Sequence, residues 1–212
     1  HAGILFRGLI INLPHNMNLI GRGWQYSVYS IGNGRVLKKY NNRAQAYLEM
    51  LRSTNNSFRT IRKIENYYRA CKRTALGSLM KVKMTNIDKK YFGNPTFVND
   101  LDYEQDLIIP ISDYFKQHTL VENMKIVDSF ILFNKFLLEQ KLIDKSFQIC
   151  NNFGLNKDGE IVLSDIGELY SDEFSINKRL RDRVWSNPYV LRSIPQELRD
   201  YFVLEMDKAF AK

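Results

Sequence analysis

Two short stretches near the start of the chain decide its predicted fold. Residues 18–29 read NLIGRGWQYSVY, and residues 35–38 read RVLK. Gly21 and Gly23 are separated by one residue, and Lys38 ends a hydrophobic run. Glycines let backbone N–H groups approach phosphate oxygens without an obstructing side chain. The pattern therefore predicts a phosphate-covering loop between two strands, beside a phosphate-binding lysine.

A second informative stretch lies far downstream, where residues 152–167 read NFGLNKDGEIVLSDIG. The Asp158-Gly159 turn between two apolar runs predicts a β-hairpin. Asn152 precedes the hairpin, and Asp165 follows it. Amide and carboxylate oxygens are ligands that Mg²⁺ accepts together with phosphate oxygens and water. The stretch therefore predicts one part of a metal-nucleotide site.

Composition limits the class of protein. The 212 residues are 44% hydrophobic and 13% aromatic, which is enough for one compact unit or for two small lobes that share a cleft. No apolar run reaches the roughly 18–20 residues of a membrane helix. The net charge of +8 attracts phosphate-bearing partners, but the basic residues are spread along the chain. We therefore expect no membrane span and disfavour nucleic acid as a partner.

Cysteine and histidine side chains do not predict a metal site. Cys71 and Cys150 lack metal-ligand spacing, and the three histidines form no cluster. The first residues contain no Sec-type signal, which favours a cytoplasmic protein.

Hydrophobic periodicity and turn residues predict the order of elements. Residues 4–13 are apolar and β-rich, and residues 19–40 predict a three-stranded antiparallel meander with a hairpin turn at Gly32-Asn33-Gly34. Further elements are predicted in chain order: helices over 43–52 and 58–72, a strand over 79–87, a turn-rich connection over 91–104, and helices over 119–140 and 195–211.

This order of elements resembles the protein-kinase-like superfamily. In that family a G-x-G-x-x-G-x-V loop covers the ATP phosphates. Gly21, Gly23 and Val28 match the pattern, and Tyr26 stands where the third glycine would be. The chain is most similar to minimal bacterial members, either secreted effectors or short regulatory proteins.

The resemblance implies an α+β, bilobal fold. A small antiparallel sheet would form an N-lobe over residues 1–104, and a reduced helical C-lobe would follow over residues 105–212. If the chain resembles the secreted effectors in function as well, it would act inside a host cell rather than in the bacterial cytoplasm.

The resemblance also implies roles for individual residues. Lys38 would hold the α- and β-phosphates of ATP, fixed by a carboxylate from the following helix. Glu65 is the first choice for that carboxylate, and Glu49 is the alternative. The other nucleotide-binding positions implied are Gly21, Arg22, Gly23 and Val28.

The metal ligands follow from the second stretch. Asp165-Ile166-Gly167 matches the family's Asp-Phe-Gly element, and Asn152 lies at the family spacing before it. The resemblance therefore implies that Asn152 and Asp165 bind Mg²⁺, and that the cofactors are ATP and Mg²⁺.

One departure from the family pattern bears on activity. Phe147 occupies the position of the catalytic aspartate, and a phenylalanine cannot orient a substrate hydroxyl. Asp144 is the nearest carboxylate and would reach that position through a longer loop. The implied catalytic residues are then Lys38, Asp144 and Asp165.

The expected function is that of an ATP- and Mg²⁺-dependent phosphotransferase, in the first place a Ser/Thr protein kinase with a protein substrate or activator. Two alternatives stay open. The chain could be a pseudokinase that binds nucleotide and a partner, as Phe147 suggests, or a small-molecule kinase.

Overall fold

The computed structural model describes residues 17–53 and 61–211, with side chains in 17–50 and 64–211. The fold is of the α+β type. Its largest sheet has five antiparallel strands in the order β1-β2-β3-β5-β4. The strands are β1 (Asn18–Arg22), β2 (Tyr26–Gly32), β3 (Arg35–Tyr40), β4 (Thr96–Phe97) and β5 (Tyr103–Asp106).

The predicted meander is confirmed by β1, β2 and β3. The turn between β2 and β3 places Gly32, Asn33 and Gly34 at positive φ (85°, 53° and 67°), a region that glycine and asparagine tolerate best. The apolar run predicted as a strand over residues 4–13 lies outside the described residues.

Two helices follow the meander, α1 (Arg43–Ser53) and α2 (Ile61–Met84). The start predicted for the second helix, at residue 58, lies outside the described residues. The strand predicted over residues 79–87 is wrong, because α2 continues to Met84. Ala75, Leu79 and Val82 are fully buried at helical spacing, and this packing outweighs the alternation of lysines that suggested a strand.

The connection predicted over residues 91–104 contains more structure than its turn residues suggested. A 3-10 helix (Lys89–Phe92) ends at Gly93, whose φ is 68°, and strands β4 and β5 then complete the sheet. The division into lobes at residue 104 stays a prediction, although β5 extends the first sheet to Asp106.

The second half of the chain is mainly helical. Its helices are α3 (Ile111–Gln117), α4 (Leu120–Glu139), α5 (Ile149–Asn152), α6 (Glu173–Arg181), α7 (Pro188–Leu191) and α8 (Arg199–Phe210). Strands β6 (Ile109–Pro110), β8 (Phe153–Leu155) and β9 (Ile161–Leu163) form a small sheet. Strand β7 (Ile143–Asp144) pairs with β10 (Leu169–Tyr170).

Helix α4 is the central helix that the sequence predicted. Thr119 accepts a hydrogen bond from the backbone N–H of Glu122, whose side chain accepts one in return from the backbone N–H of Thr119. Val127, Phe130 and Leu137 are fully buried in the core. None of the helices formed by the described residues is long and apolar enough to cross a membrane.

Phe147 belongs to the core as well. Its ring is fully buried and makes an edge-to-face contact with Trp185, at 5.8 Å between ring centroids. Phe210 contacts both rings, at 5.8 and 6.0 Å. The residue at the expected base position therefore anchors the C-terminal helix.

Candidate functional site

A cleft of about 680 Å³ lies between the first sheet and the residues that flank the β8–β9 hairpin. Its walls include residues from β2, β3, α5 and the segment after β7. Six of the residues for which the sequence predicted a nucleotide-binding, metal-binding or catalytic role line this cleft: Arg22, Gly23, Val28, Lys38, Asn152 and Asp165.

The glycine loop between β1 and β2 forms one wall. Gly21 pairs with Val28 across the two strands, and the backbone N–H of Gly23 donates to the carbonyl of Tyr26 at 2.8 Å. A Cβ at Gly21 would lie 3.7 Å from Val28, so a larger residue fits here in ordinary contact. Gly23 lines the cleft, and Gly21 lies within β1.

Asn41, which directly follows β3, holds this loop in place through side-chain hydrogen bonds. Its side-chain Nδ2 donates to the carbonyls of Gly23 (2.7 Å) and Trp24 (3.0 Å), and its Oδ1 accepts from Ser27 Oγ (2.6 Å). The side chain is buried. The cap of α1 is the neighbouring Asn42, which accepts from the backbone N–H of Gln45.

Tyr26, which the resemblance aligns with the family's third glycine, has a buried ring. It makes edge contacts with Tyr40 and Tyr103, at 5.2 and 5.6 Å between centroids. Burial, and to a lesser extent the charge of Asp165, raise the pKa of the Tyr26 hydroxyl far above its usual value. A Cβ on Gly167 would lie 3.1 Å from the Tyr26 ring, so a larger residue at position 167 would require a small shift of this ring.

Lys38 extends from β3 across the cleft. Its ammonium group donates to the backbone carbonyl of Ser164 at 2.6 Å. Burial lowers the pKa of Lys38, and the nearby Asp165 carboxylate partly opposes this effect. The side chain is therefore held next to the residue that the sequence singled out as a metal ligand.

Glu65 is not brought to Lys38. Its carboxylate pairs with Arg43 at 2.7 Å and with Arg69 at 2.6 Å, and it accepts a hydrogen bond from the Tyr47 hydroxyl at 2.6 Å. These contacts join α1 to α2. The α2 residue that faces the cleft is Tyr67, so the rotation of the helix points Glu65 elsewhere.

The opposite wall, called here the hairpin wall, is formed by residues that flank the hairpin, among them Asn152 and Asp165. Strands β8 and β9 pair Phe153 with Leu163, which brings the residues at the two open ends together. The carbonyl of Asn152 accepts from the backbone N–H groups of Ser164 (2.8 Å) and Asp165 (3.0 Å). The Asp165 carboxylate accepts from the N–H of Gly167 at 3.1 Å.

Asp144 is buried beneath this wall and forms hydrogen bonds with two of its residues. It has no accessible surface, and its carboxylate accepts hydrogen bonds from Asn152 Nδ2 (2.8 Å) and from the N–H (3.0 Å) and hydroxyl (3.2 Å) of Ser146. Burial raises its pKa to about 6, against the lowering effect of the Asn152 and Ser146 hydrogen bonds. Asn152 and Ser146 line the cleft, whereas Asp144 positions them.

The donor set suits a hard cation bound mainly through phosphate and water. Among the described residues, no group of three or more His, Cys, Asp or Glu side chains could hold a metal by themselves. Because Asn152 donates through Nδ2 to Asp144, its Oδ1 is the atom that it can offer to a cation. Asp165 adds a carboxylate, and two such oxygens fit Mg²⁺, which keeps several non-protein ligands.

Sequence reasoning missed Gln25 and Lys145, which also line the cleft. Gln25 directly precedes Tyr26, and Lys145 directly follows Asp144. Position beside a motif was the only available signal, and it does not reveal which way a side chain points.

No protein-family model matches the sequence, and no curated protein matches it. Among solved structures, the chain has a distant likeness to Rv3197 from Mycobacterium tuberculosis in complex with erythromycin, with 14% identity and a TM-score of 0.43. The match covers 86% of this chain and 55% of that one, so the chain spans about half the length of that structure.

Proposed function

We propose that the protein binds Mg-ATP in this cleft and transfers the γ-phosphoryl group to a hydroxyl acceptor, in a bilobal, protein-kinase-like arrangement. The carrying observation is that the glycine loop, Lys38, Asn152 and Asp165 line the same cleft, although they are far apart in the sequence. The N-lobe and C-lobe of this proposal are the predicted residues 1–104 and 105–212.

Each residue has a distinct task in the proposal. The backbone around Gly21 and Gly23 covers the phosphates, and Lys38 binds their oxygens through its ammonium group. Asn152 and Asp165 hold Mg²⁺, which when bound neutralises charge on the phosphates. Transfer of a phosphoryl group depends mainly on positioning and electrostatics, so these few groups can supply most of what the reaction needs.

The Lys38–Glu65 pair is not part of the proposal. Lys38 has another anchor in the carbonyl of Ser164, and Asp165 is the carboxylate whose charge it feels. A carbonyl anchor carries no net charge, so the anchor itself does not offset the positive charge of the lysine, which favours binding of phosphate.

Asp144 has a supporting task rather than direct contact with substrate. Its burial and its hydrogen bonds to Asn152 and Ser146 favour a role in orienting the metal-binding amide. The same geometry favours a second candidate function, a nucleotide-binding pseudokinase, because neither Asp144 nor the buried Phe147 offers an accessible base.

The test is transfer of label from γ-labelled Mg-ATP to the protein or to a generic Ser/Thr acceptor, with Asp165→Ala as the comparison. Label that is lost in Asp165→Ala supports the phosphotransferase. Mg-dependent binding of ATP without transfer supports the pseudokinase. Absence of both binding and transfer contradicts the proposal.

A further inference from the structure

Glu168 connects the two walls of the cleft. Its Oε1 accepts a hydrogen bond from Gln25 Nε2 at 2.9 Å and lies 3.2 Å from Lys145 Nζ. Gln25 belongs to the segment that leads from the glycine loop into β2, and Lys145 follows β7. All three side chains line the cleft. A single carboxylate oxygen therefore joins the loop to the base of the hairpin wall.

The pair of Lys145 and Glu168 is built into the fold. The backbone N–H of Lys145 donates to the carbonyl of Glu168 at 3.0 Å, beside the pairing of β7 with β10. The side chains are only 27% and 19% exposed, respectively. Although burial would lower the pKa of Lys145, the Glu168 carboxylate raises it. Lys145 is therefore a protonated ammonium group inside the cleft.

We propose that Lys145 is a second phosphate-binding cation of this cleft and that Glu168 competes with the phosphate ligand for it. The identity of the ligand as a nucleotide rests on the proposed function, whereas the competition depends only on the phosphate. Both the carboxylate and a phosphate oxygen are strong acceptors for an ammonium group. The group has three N–H donors but a single positive charge, so a carboxylate that already pairs with it weakens its attraction for phosphate.

The contrast with Lys38 supports the competition. Lys38 is anchored by a neutral carbonyl, so its binding to phosphate replaces no ion pair. Lys145 must give up a partly buried carboxylate. Because Gln25 is bonded to the same oxygen, displacement of Glu168 from Lys145 also changes the contact that holds the glycine loop.

The experiment compares Glu168→Gln and Lys145→Gln with wild type in calorimetric titrations with magnesium tripolyphosphate at fixed ionic strength. Glu168→Gln retains an oxygen that can accept from Gln25 but removes the competing charge. We expect this variant to bind tripolyphosphate about tenfold more tightly, and Lys145→Gln about tenfold more weakly. Glu160→Gln is the control for net charge, since Glu160 pairs with Lys90 at 3.8 Å outside the cleft.

Opposite signs in the two variants distinguish competition from a structural role, in which both variants would bind more weakly. Binding by Glu168→Gln that is equal to or weaker than that of Glu160→Gln overturns the proposal. Binding by Lys145→Gln at the wild-type level also overturns it.

Titration with Mg-ATP on the same proteins tests the proposed function separately. Tight binding of Mg-ATP by wild type, with both variants unchanged, overturns the role of Lys145 and leaves the nucleotide site standing. If the variants bind tripolyphosphate in the expected order but wild type binds Mg-ATP no more tightly than tripolyphosphate, the role of Lys145 is supported. The proposal that the ligand is a nucleotide is then overturned. Failure of wild type and Glu168→Gln to bind either probe overturns both.

Discussion

The two walls of the cleft are held in place in different ways. On the hairpin side, the groups proposed for the metal are fixed within one short stretch of chain, because Asp144 binds Asn152 and the N–H of Gly167 binds Asp165. On the sheet side, the glycine loop is fixed from a distance. Asn41 binds its carbonyls, and the ring of Trp24 stacks on Tyr67 of α2 at 4.9 Å.

On the proposed function, this difference separates a preorganised metal site from an adjustable cover over the nucleotide. The side chains of Asn152 and Asp165 are held by neighbours in the chain, Asp144 and Gly167. The cover is the glycine loop, and it depends on contacts with α2 and with Glu168, which belong to other parts of the molecule. Mutations in the hairpin wall should therefore alter the proposed reaction, whereas those on the sheet side should mainly alter stability and ligand affinity.

The largest effect is expected from Asn152→Ala. On the proposed function, this variant loses a metal ligand, and phosphoryl transfer should fall on the order of a thousandfold because the charge on the phosphates is no longer neutralised in place. Initial rates with γ-labelled ATP over a range of Mg²⁺ concentrations measure the loss. Asn151→Ala is the matched control, since the Asn151 amide donates to Gln148 instead of Asp144. Equal rates in the two variants would contradict the assignment.

The second effect concerns the buried support of the hairpin wall. Burial raises the pKa of Asp144 from 3.8 to about 6, so the folded protein binds this proton more tightly than the unfolded chain does. The stabilising contribution of the protonated group is fully present below pH 3.8 and is lost as the pH rises through about 6. The difference between the two pKa values corresponds to about 3 kcal/mol at most.

Asp144→Asn should remove this pH dependence. Between pH 4 and 7, the free energy of unfolding of wild type should therefore fall relative to that of the variant, by an amount on the order of 1–3 kcal/mol. Urea unfolding of both proteins at several pH values measures the difference. Parallel curves for the two proteins would mean that Asp144 is not desolvated as the structure has it.

The contrast between local and distant contacts also explains which parts of each wall could be predicted from the sequence. The hairpin was predictable because the Asp158-Gly159 turn and its flanking apolar runs specify it locally. The glycine loop and Lys38 were likewise predicted by short-range patterns. The predicted pairing of Glu65 with Lys38 was wrong because the direction of Glu65 depends on how α2 is rotated against the sheet. This rotation is set by packing against residues that are distant in the sequence.

The missed residues have the same explanation. The sequence did not reveal the role of Asn41, because its contacts with Gly23 and Trp24 arise only when β3 lies beside the loop. The strand expected over residues 79–87 failed because Leu79 and Val82 are buried by the second half of the molecule, which no local pattern reports.

The third effect tests the support of the cover. Asn41→Ala removes three side-chain hydrogen bonds in a buried setting and leaves Ser27 and two loop carbonyls without this partner. We expect a loss of about 2 kcal/mol in the free energy of unfolding. Asn42→Ala removes only the cap of α1 and should cost about 1 kcal/mol. Urea unfolding compares the two, and a larger cost for Asn42→Ala would assign the main anchor to the wrong asparagine.

The smallest effect isolates the contact between the loop and α2. The rings of Trp24 and Tyr67 stack with an angle of 15° between their planes, and Tyr67 is half exposed. The pair should therefore contribute about 1 kcal/mol to the free energy of unfolding. A double-mutant cycle with Trp24→Leu and Tyr67→Leu measures this coupling in urea unfolding. If the cover is adjustable, both single variants should weaken binding of Mg-ATP without changing its dependence on Mg²⁺, because the hairpin wall is untouched. A changed Mg²⁺ dependence would show that the two walls are coupled after all, and that the cover helps to place the metal ligands.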